Sequence, residues 1–222
     1  MEDVTKSPRT YRSPLREEAA RRTRATVVRA AAEVFVAEGY AGATIDQIAA
    51  RADVSRPTVF AVGNKAQLFA LARREAAAGD HPTNEDRYRE ILTITDPHRL
   101  LGEFAAFTAA VAQRLGPLQL VLEQAAGTDP DLADQLRASQ QDLIDRARGI
   151  ITALAATGTL RPGTTADTCT DTLWLQIQPT TYQRLTAERG WTHDAFEHWH
   201  ATTMINTLLQ PQPQSQRPTP QT

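Results

Sequence analysis

The sequence predicts an all-α protein of about nine or ten helices. Apolar residues recur at helical spacing almost throughout residues 21–209. No alternating run long enough for a strand appears. Cap and breaker residues bound each apolar stripe.

The first helix is expected from about Arg21 to Glu38, with Val28, Ala31, Ala32, Phe35 and Val36 on one face and Gly39 as its stop. Thr44 and Gln47 form a capping box opening a short helix with Ile45, Ile48, Ala49 and Ala52 inward. Asp53 and Val54 turn the chain, and Ser55 caps a second short helix running to about Val62. Gly63 and Asn64 break it, and a fourth helix spans Lys65 to about Ala78. Residues 79–82 read as a connector, and 83–95 as either an extension of that helix or a loose turn. Asp96-Pro97 starts a helix carrying Leu100, Leu101, Phe104, Phe107, Val111 and Leu115, which Gly116-Pro117 should end, with a short helix after it. Asp129-Pro130 starts a long helix ending at Gly158. Thr164 or Thr165 starts the next, which Pro179 kinks or divides and Gly190 ends; Thr192 caps a last helix ending near Gln210.

This gives four regions: a disordered arm at 1–18, a helix-turn-helix domain at 19–78, a larger helical domain at 79–209, and a proline-rich disordered tail at 210–222. With 222 residues, 41% apolar and 23% charged, the composition is that of an ordinary globular protein. No stretch approaches the ~18 apolar residues of a membrane span, so no membrane partner is expected. The N-terminus has no apolar segment of the kind a secretory signal needs. One cysteine, Cys169, excludes a disulfide framework and a multi-thiolate metal site, and is expected to be a small buried hydrophobe. The expected compartment is the cytoplasm. Residues 1–78 carry 13 Lys/Arg against 9 Asp/Glu, whereas residues 79–222 carry 11 against 17. Nucleic-acid binding would therefore fall to the first third of the chain.

The informative segment is TIDQIAARADVSRPTVFAVGNK, residues 44–65. Ala49 is small where two short helices must cross, and Ile45, Ile48, Val54 and Val59 fill the angle between them. Asp53 suits a left-handed turn. The second short helix presents Ser55, Arg56, Thr58 and Ala61 outward. Pro57 is tolerated in its first turn. Such a small, partly basic helix fits a major groove. Arg21, Arg22 and Arg24 could reach phosphates or a minor groove. Thr44 and Lys65 each stand at a helix N-terminus, which favours an anion.

The segment AAEVFVAEGY, the TIDQIAARADVS core and the Lys65–Leu71 stretch together resemble the DNA-binding domain of the TetR family of bacterial transcriptional regulators, over about residues 21–75. Two departures stand out. Phe60 replaces a phosphate-bonding tyrosine; it stays among the DNA-binding candidates of the recognition helix, with packing expected in place of the phosphate bond. The link AVGNK is one residue shorter than usual and lacks an aromatic residue. DPDLA at 129–133, GTLRPG at 158–163 and RGW at 189–191 resemble the family's helix junctions more loosely. The resemblance implies a homodimeric repressor that binds a palindromic operator in double-stranded DNA and releases it on binding a small-molecule effector. An activator of the same fold, or a helical interaction module without DNA binding, stands as the alternative. The resemblance also implies a dimer interface of segments 164–188 and 192–209, which Trp174, Trp199, Leu208 and Leu209 support.

An effector cleft is expected among Phe104, Phe107, Thr108 and Val111, with Gln141 and Ile144 of the long helix and Trp174 and Gln178 of the following one. His193, Glu197 and His200 share one helix face, but the spacing supplies no fourth ligand, so no metal is expected. No nucleophile elbow, phosphate loop, dinucleotide fingerprint or His-Glu-x-x-His is present. Neither catalysis nor a cofactor is expected.

Overall fold

A computed structural model describes residues 14–78 and 84–211, and these residues are all-α with a single isolated β-bridge. Ten α-helices follow in order: α1 Pro14–Gly42, α2 Ile45–Ala52, α3 Arg56–Val62, α4 Lys65–Ala78, α5 Asn84–Leu92, α6 Pro97–Ala125, α7 Pro130–Ala156, α8 Ala166–Gln176, α9 Pro179–Gln183 and α10 His193–Leu208. A π-helical turn, Arg184–Glu188, follows α9. The chain divides into two compact units, residues 1–72 and 73–222. The division falls inside α4; the expected connector, 79–82, lies outside the described residues.

In the first unit, α1 is longer than its apolar stripe suggests. It already includes 14–18, part of the arm expected to be disordered, while residues 1–13 of that arm lie outside the described residues. Gly39 interrupts the helix with φ 68° and ψ 172°, a backbone that a side chain would disfavour. The buried face is Val27, Val28, Ala30, Ala31, Val34 and Phe35; Val36, expected inward, is 48% exposed. Phe35 meets Phe69 of α4 edge-on with ring centres 5.0 Å apart, and Tyr40 stacks at 5.7 Å, closing a small aromatic core.

In the second unit, α6 runs through Gly116-Pro117 as one helix, contrary to the expected break. Proline costs the helix one hydrogen bond, but Gly116 repays it in packing. A Cβ there would lie 3.3 Å from the Pro179 carbonyl and 3.1 Å from the Gln183 side chain, so glycine lets α9 rest directly on α6. α5 occupies the stretch left open between helix and turn. Its Tyr88 donates to the Arg146 carbonyl at 2.8 Å and packs where Gly149 leaves room. The core gathers Leu100, Leu101 and Phe104 of α6, Ile150 and Leu154 of α7, Leu173 of α8, and Met204 and Leu208 of α10. Cys169 is buried with them, as expected. Pairing of residues 159–161 with 208–210 ties down the chain end: Arg161 N donates to Leu208 O at 2.8 Å and Gln210 N to Thr159 O at 3.1 Å. Gln210 is thus structured where the tail was expected to begin, and residues 212–222 lie outside the described ones. Among the described residues no helix is long and apolar enough to cross a membrane.

Candidate functional site

The turn between α2 and α3 follows from its residues. Thr44 accepts from Gln47 N, and the Gln47 side chain accepts from Thr44 N at 2.7 Å, completing the capping box. Asp53 ends α2 in the left-handed region, φ 52° and ψ 48°, and Val54 N returns to Ala49 O at 3.0 Å. Ile48, Ala49, Ala52 and Val59 are buried in the angle. Ser55 caps α3 by accepting from Thr58 N. Gln67 and Asn64 form a further capping box on α4, with reciprocal bonds of 2.9 Å. That pair stands in the sequence as N-x-x-Q and was open to reading.

α3 leaves Ser55, Arg56, Pro57, Phe60 and Ala61 exposed and Thr58 half-buried. Phe60 is 54% exposed, which overturns the packing role expected of it: its ring lies on the outward surface beside the polar residues. Arg56 is not free. Its Nε lies 3.0 Å from Asp46 Oδ1 on the first turn of α2. That contact uses one edge of the guanidinium and leaves the two Nη groups, the fork that matches guanine O6 and N7. Lys65 points its ammonium back to Ala41 O at 3.4 Å and over the Tyr40 ring at 4.6 Å. Thr44 is exposed at the start of α2. Arg21, Arg22 and Arg24 are exposed on α1, with Arg21 paired to Glu18.

The second unit holds a cleft of about 140 Å³. Of the expected effector residues, Phe104, Phe107, Thr108 and Val111 line it. The other four do not. Gln141 is exposed and bonded to Asp145. Ile144 is absent from the wall. Trp174 Nε1 donates to Gln140 Oε1 at 3.0 Å, and Gln178 exchanges bonds with the same Gln140 at 3.2 Å, so both hold α7 to the α8–α9 corner. One helical position separates Gln141 from the bonded Gln140, and an apolar stripe alone does not fix that rotation. Missed were Ser139, Asp142, Leu143 and Arg146 of α7, together with Leu115, Ile177, Pro179, Ala77 and Asn84. Ser139, Asp142 and Arg146 share one face at i, i+3 and i+7, a polar signal beside the apolar stripe.

Two buried polar groups flank the cleft. Thr108 donates to Phe104 O at 2.9 Å and therefore accepts from His200 Nε2, also 2.9 Å away. His200 Nδ1 is buried without a partner, and burial pushes the imidazole pKa down to about 4. Arg73, in the last turns of α4, donates to Gln119 Oε1 at 2.7 Å and Ser139 Oγ at 3.2 Å. Burial lowers its pKa to about 10, opposed by Glu123, so it stays charged at neutral pH. Arg73 thereby fastens α4 to α6 and to the cleft wall at Ser139.

Leu208 and Leu209, expected on a dimer face, are 0% and 3% exposed and belong to the core. The indole of Trp199 packs with Trp191 and Phe196 of its own unit. Leu175 of α8 is instead 60% exposed. His193 bonds Tyr182 at 3.2 Å, and among the described residues no group of three or more His, Cys, Asp or Glu is placed to hold a metal.

Residues 27–72 match the family model of bacterial regulatory proteins, tetR family. No curated protein matches the sequence. Among solved structures, NalD, the secondary repressor of the MexAB-OprM multidrug efflux pump in Pseudomonas aeruginosa, is 23% identical, covers 86% of this chain and 98% of its own, and superposes with a TM-score of 0.67. The SmeT–triclosan complex is 17% identical over 90% of this chain and 100% of its own, TM-score 0.67. FadR from Bacillus subtilis in complex with stearoyl-CoA is 17% identical over 82% and 98%, TM-score 0.66. At these identities the likeness shows the fold. Residues 27–72 therefore match the DNA-binding domain of the tetR family of bacterial regulatory proteins, and the chain has the all-helical fold of these solved regulators.

Proposed function

We propose that the protein is a homodimeric, ligand-responsive repressor acting in the cytoplasm on a palindromic operator. The observation that carries this is α3, a capped seven-residue helix whose outward surface is Arg56, Pro57, Phe60 and Ala61. It is too short to read more than a few base pairs, so specificity calls for two copies on a symmetric site. Arg56 reads guanine, Phe60 meets a thymine methyl or sugar edge, and Arg21, Arg22, Arg24, Ser55 and Thr58 supply backbone contacts. Lys65 holds the α1 C-terminus and the start of α4 together beside them.

The dimer face lies on α8 and α10, as the family suggests, but through their outward side with Leu175 at its centre. Repression is relieved from the cleft. Its wall includes Ala77, in the last turn of α4, and Ser139, which Arg73 of α4 grips. α4 runs unbroken from Lys65 to Ala78, so a ligand that displaces its last turn acts on the helix that follows α3. A coupling of about 1–3 kcal/mol changes operator occupancy several-fold or more. SmeT in complex with triclosan and FadR in complex with stearoyl-CoA share this fold, which supports a ligand-responsive reading of the chain. A gel-shift with DNA from immediately upstream of the gene tests the reading. Wild type should retard it as a dimer, and Arg56→Ala should need about tenfold more protein to do so. Equal retardation by both proteins, or of scrambled DNA, would count against it.

A further inference from the structure

We infer that α3 reads thymine by its C5 methyl group, with Phe60 as the reading side chain, at a base pair within two steps of the guanine that Arg56 reads. The inference rests on the DNA-binding reading above and deepens it by naming a second base of the half-site and the atom that is read.

The face comes first. On α3, Val59 is buried and Thr58 and Val62 are half-buried, so the opposite side is Arg56, Pro57, Phe60 and Ala61. One exposed phenylalanine is ordinary by itself; its neighbours decide its meaning. Pro57, Phe60 and Ala61 carry no side-chain donor or acceptor. Thr58 Oγ1 lies 2.8 Å from Ser55 Oγ, which also accepts from Thr58 N, so both hydroxyls are engaged at the cap. Arg56 is then the one hydrogen-bonding side chain that the outward face of α3 holds. The rest of that face meets a base through apolar surface alone.

The groove answers with one apolar group. Base edges in the major groove display donors and acceptors, and the C5 methyl of thymine is the exception. Covering that methyl removes apolar surface of both partners from water, and the Phe60 ring, 54% exposed, has such surface to bury. Set against the edge of a purine or of cytosine, the same ring would strip water from a group that it cannot bond. Spacing then places the methyl. Arg56 and Phe60 stand at i and i+4, about 5–6 Å apart at Cβ. Base pairs stack about 3.4 Å apart, so the two side chains reach bases one or two steps apart.

Binding of the full chain to synthetic duplexes, read by fluorescence anisotropy at fixed salt, tests this. The duplex is the sequence that wild type selects from a random pool, which should carry a thymine within two base pairs of the guanine in each half-site. Replacing that thymine by uracil removes only the methyl, and should weaken wild type about fourfold per half-site and about fifteenfold for both. Phe60→Ala, a change at an exposed position, should bind the thymine and uracil duplexes equally. Cytosine at the same position should bind wild type weakly, and 5-methylcytosine should recover affinity several-fold. A half-site without that thymine, a wild type indifferent to uracil, a Phe60→Ala protein as sensitive to uracil as wild type, or a Phe60→Ala loss equal on operator and scrambled DNA would each overturn the inference and leave the DNA-binding reading standing. A pool with no enriched palindrome would overturn that reading and the inference with it.

Discussion

His200 makes the stability of the C-terminal unit depend on pH in a way that can be worked through. Thr108 spends its only proton on the Phe104 carbonyl, so the imidazole must donate from Nε2 and is neutral with a bare, buried Nδ1. A second proton would sit on Nδ1 with no acceptor and little water. The folded-state pKa is accordingly about 4, against 6.5 when the chain unfolds. The folded state therefore binds fewer protons between these values. Its stability is fully present above pH 6.5, falls as pH drops, and levels off below about 4. The whole interval is worth about 3 kcal/mol, and about 2 kcal/mol of it is gone by pH 5. For a chain of this size that is a fall in Tm of about 4–8 °C. His200→Gln keeps a donor toward Thr108 and does not titrate. Urea unfolding of both proteins at pH 8 and pH 5 isolates the effect, because the carboxylates contribute alike to each. The variant should lose about 2 kcal/mol less than wild type on this shift. An equal loss in the two proteins, or an NMR titration placing His200 near 6.5, would refute the reasoning.

Three further outcomes are expected. Asp46→Asn frees Arg56 Nε and removes a negative charge near the DNA-facing helix, so non-specific affinity should rise while the specific-to-non-specific ratio falls about tenfold; an unchanged ratio would show that the ion pair does not orient Arg56. Leu175→Glu should yield a folded monomer by sedimentation velocity, whereas Leu208→Glu should unfold the unit; a stable Leu175→Glu dimer would move the interface elsewhere. Gly149→Ala would place a Cβ 2.1 Å from the Tyr88 hydroxyl, forcing that ring out at a cost of about 1–3 kcal/mol, read by chemical denaturation.

The helix-turn-helix was legible because its signals are local. The Thr44–Gln47 box, the left-handed Asp53 and the Ser55 cap are each fixed by partners within four residues, and each forms as its spacing implies. Long-range packing was not legible. Gly116-Pro117 reads as a break until α9 is seen lying on the glycine. Val36 and Leu208 are both apolar at stripe edges, yet one is exposed and the other buried, since a stripe does not reveal how far it rotates toward its neighbours. Rotation also divided the cleft. The four α6 residues follow one deep stripe, whereas on α7 the wall is Ser139, Asp142, Leu143 and Arg146, one position away from Gln141 and Ile144. Phe60 inverts the usual inference that a phenylalanine is inside.

On the proposed reading, two copies of α3 read a symmetric DNA site. Selection of bound sequences from a random duplex pool, run with wild type and Arg56→Ala, tests it most directly. Wild type should enrich a palindrome whose half-sites contain a guanine, and Arg56→Ala should keep the palindrome and its spacing but lose preference at that one base pair per half-site. A wild-type pool with no enriched sequence, or with a site lacking two-fold symmetry, would contradict it.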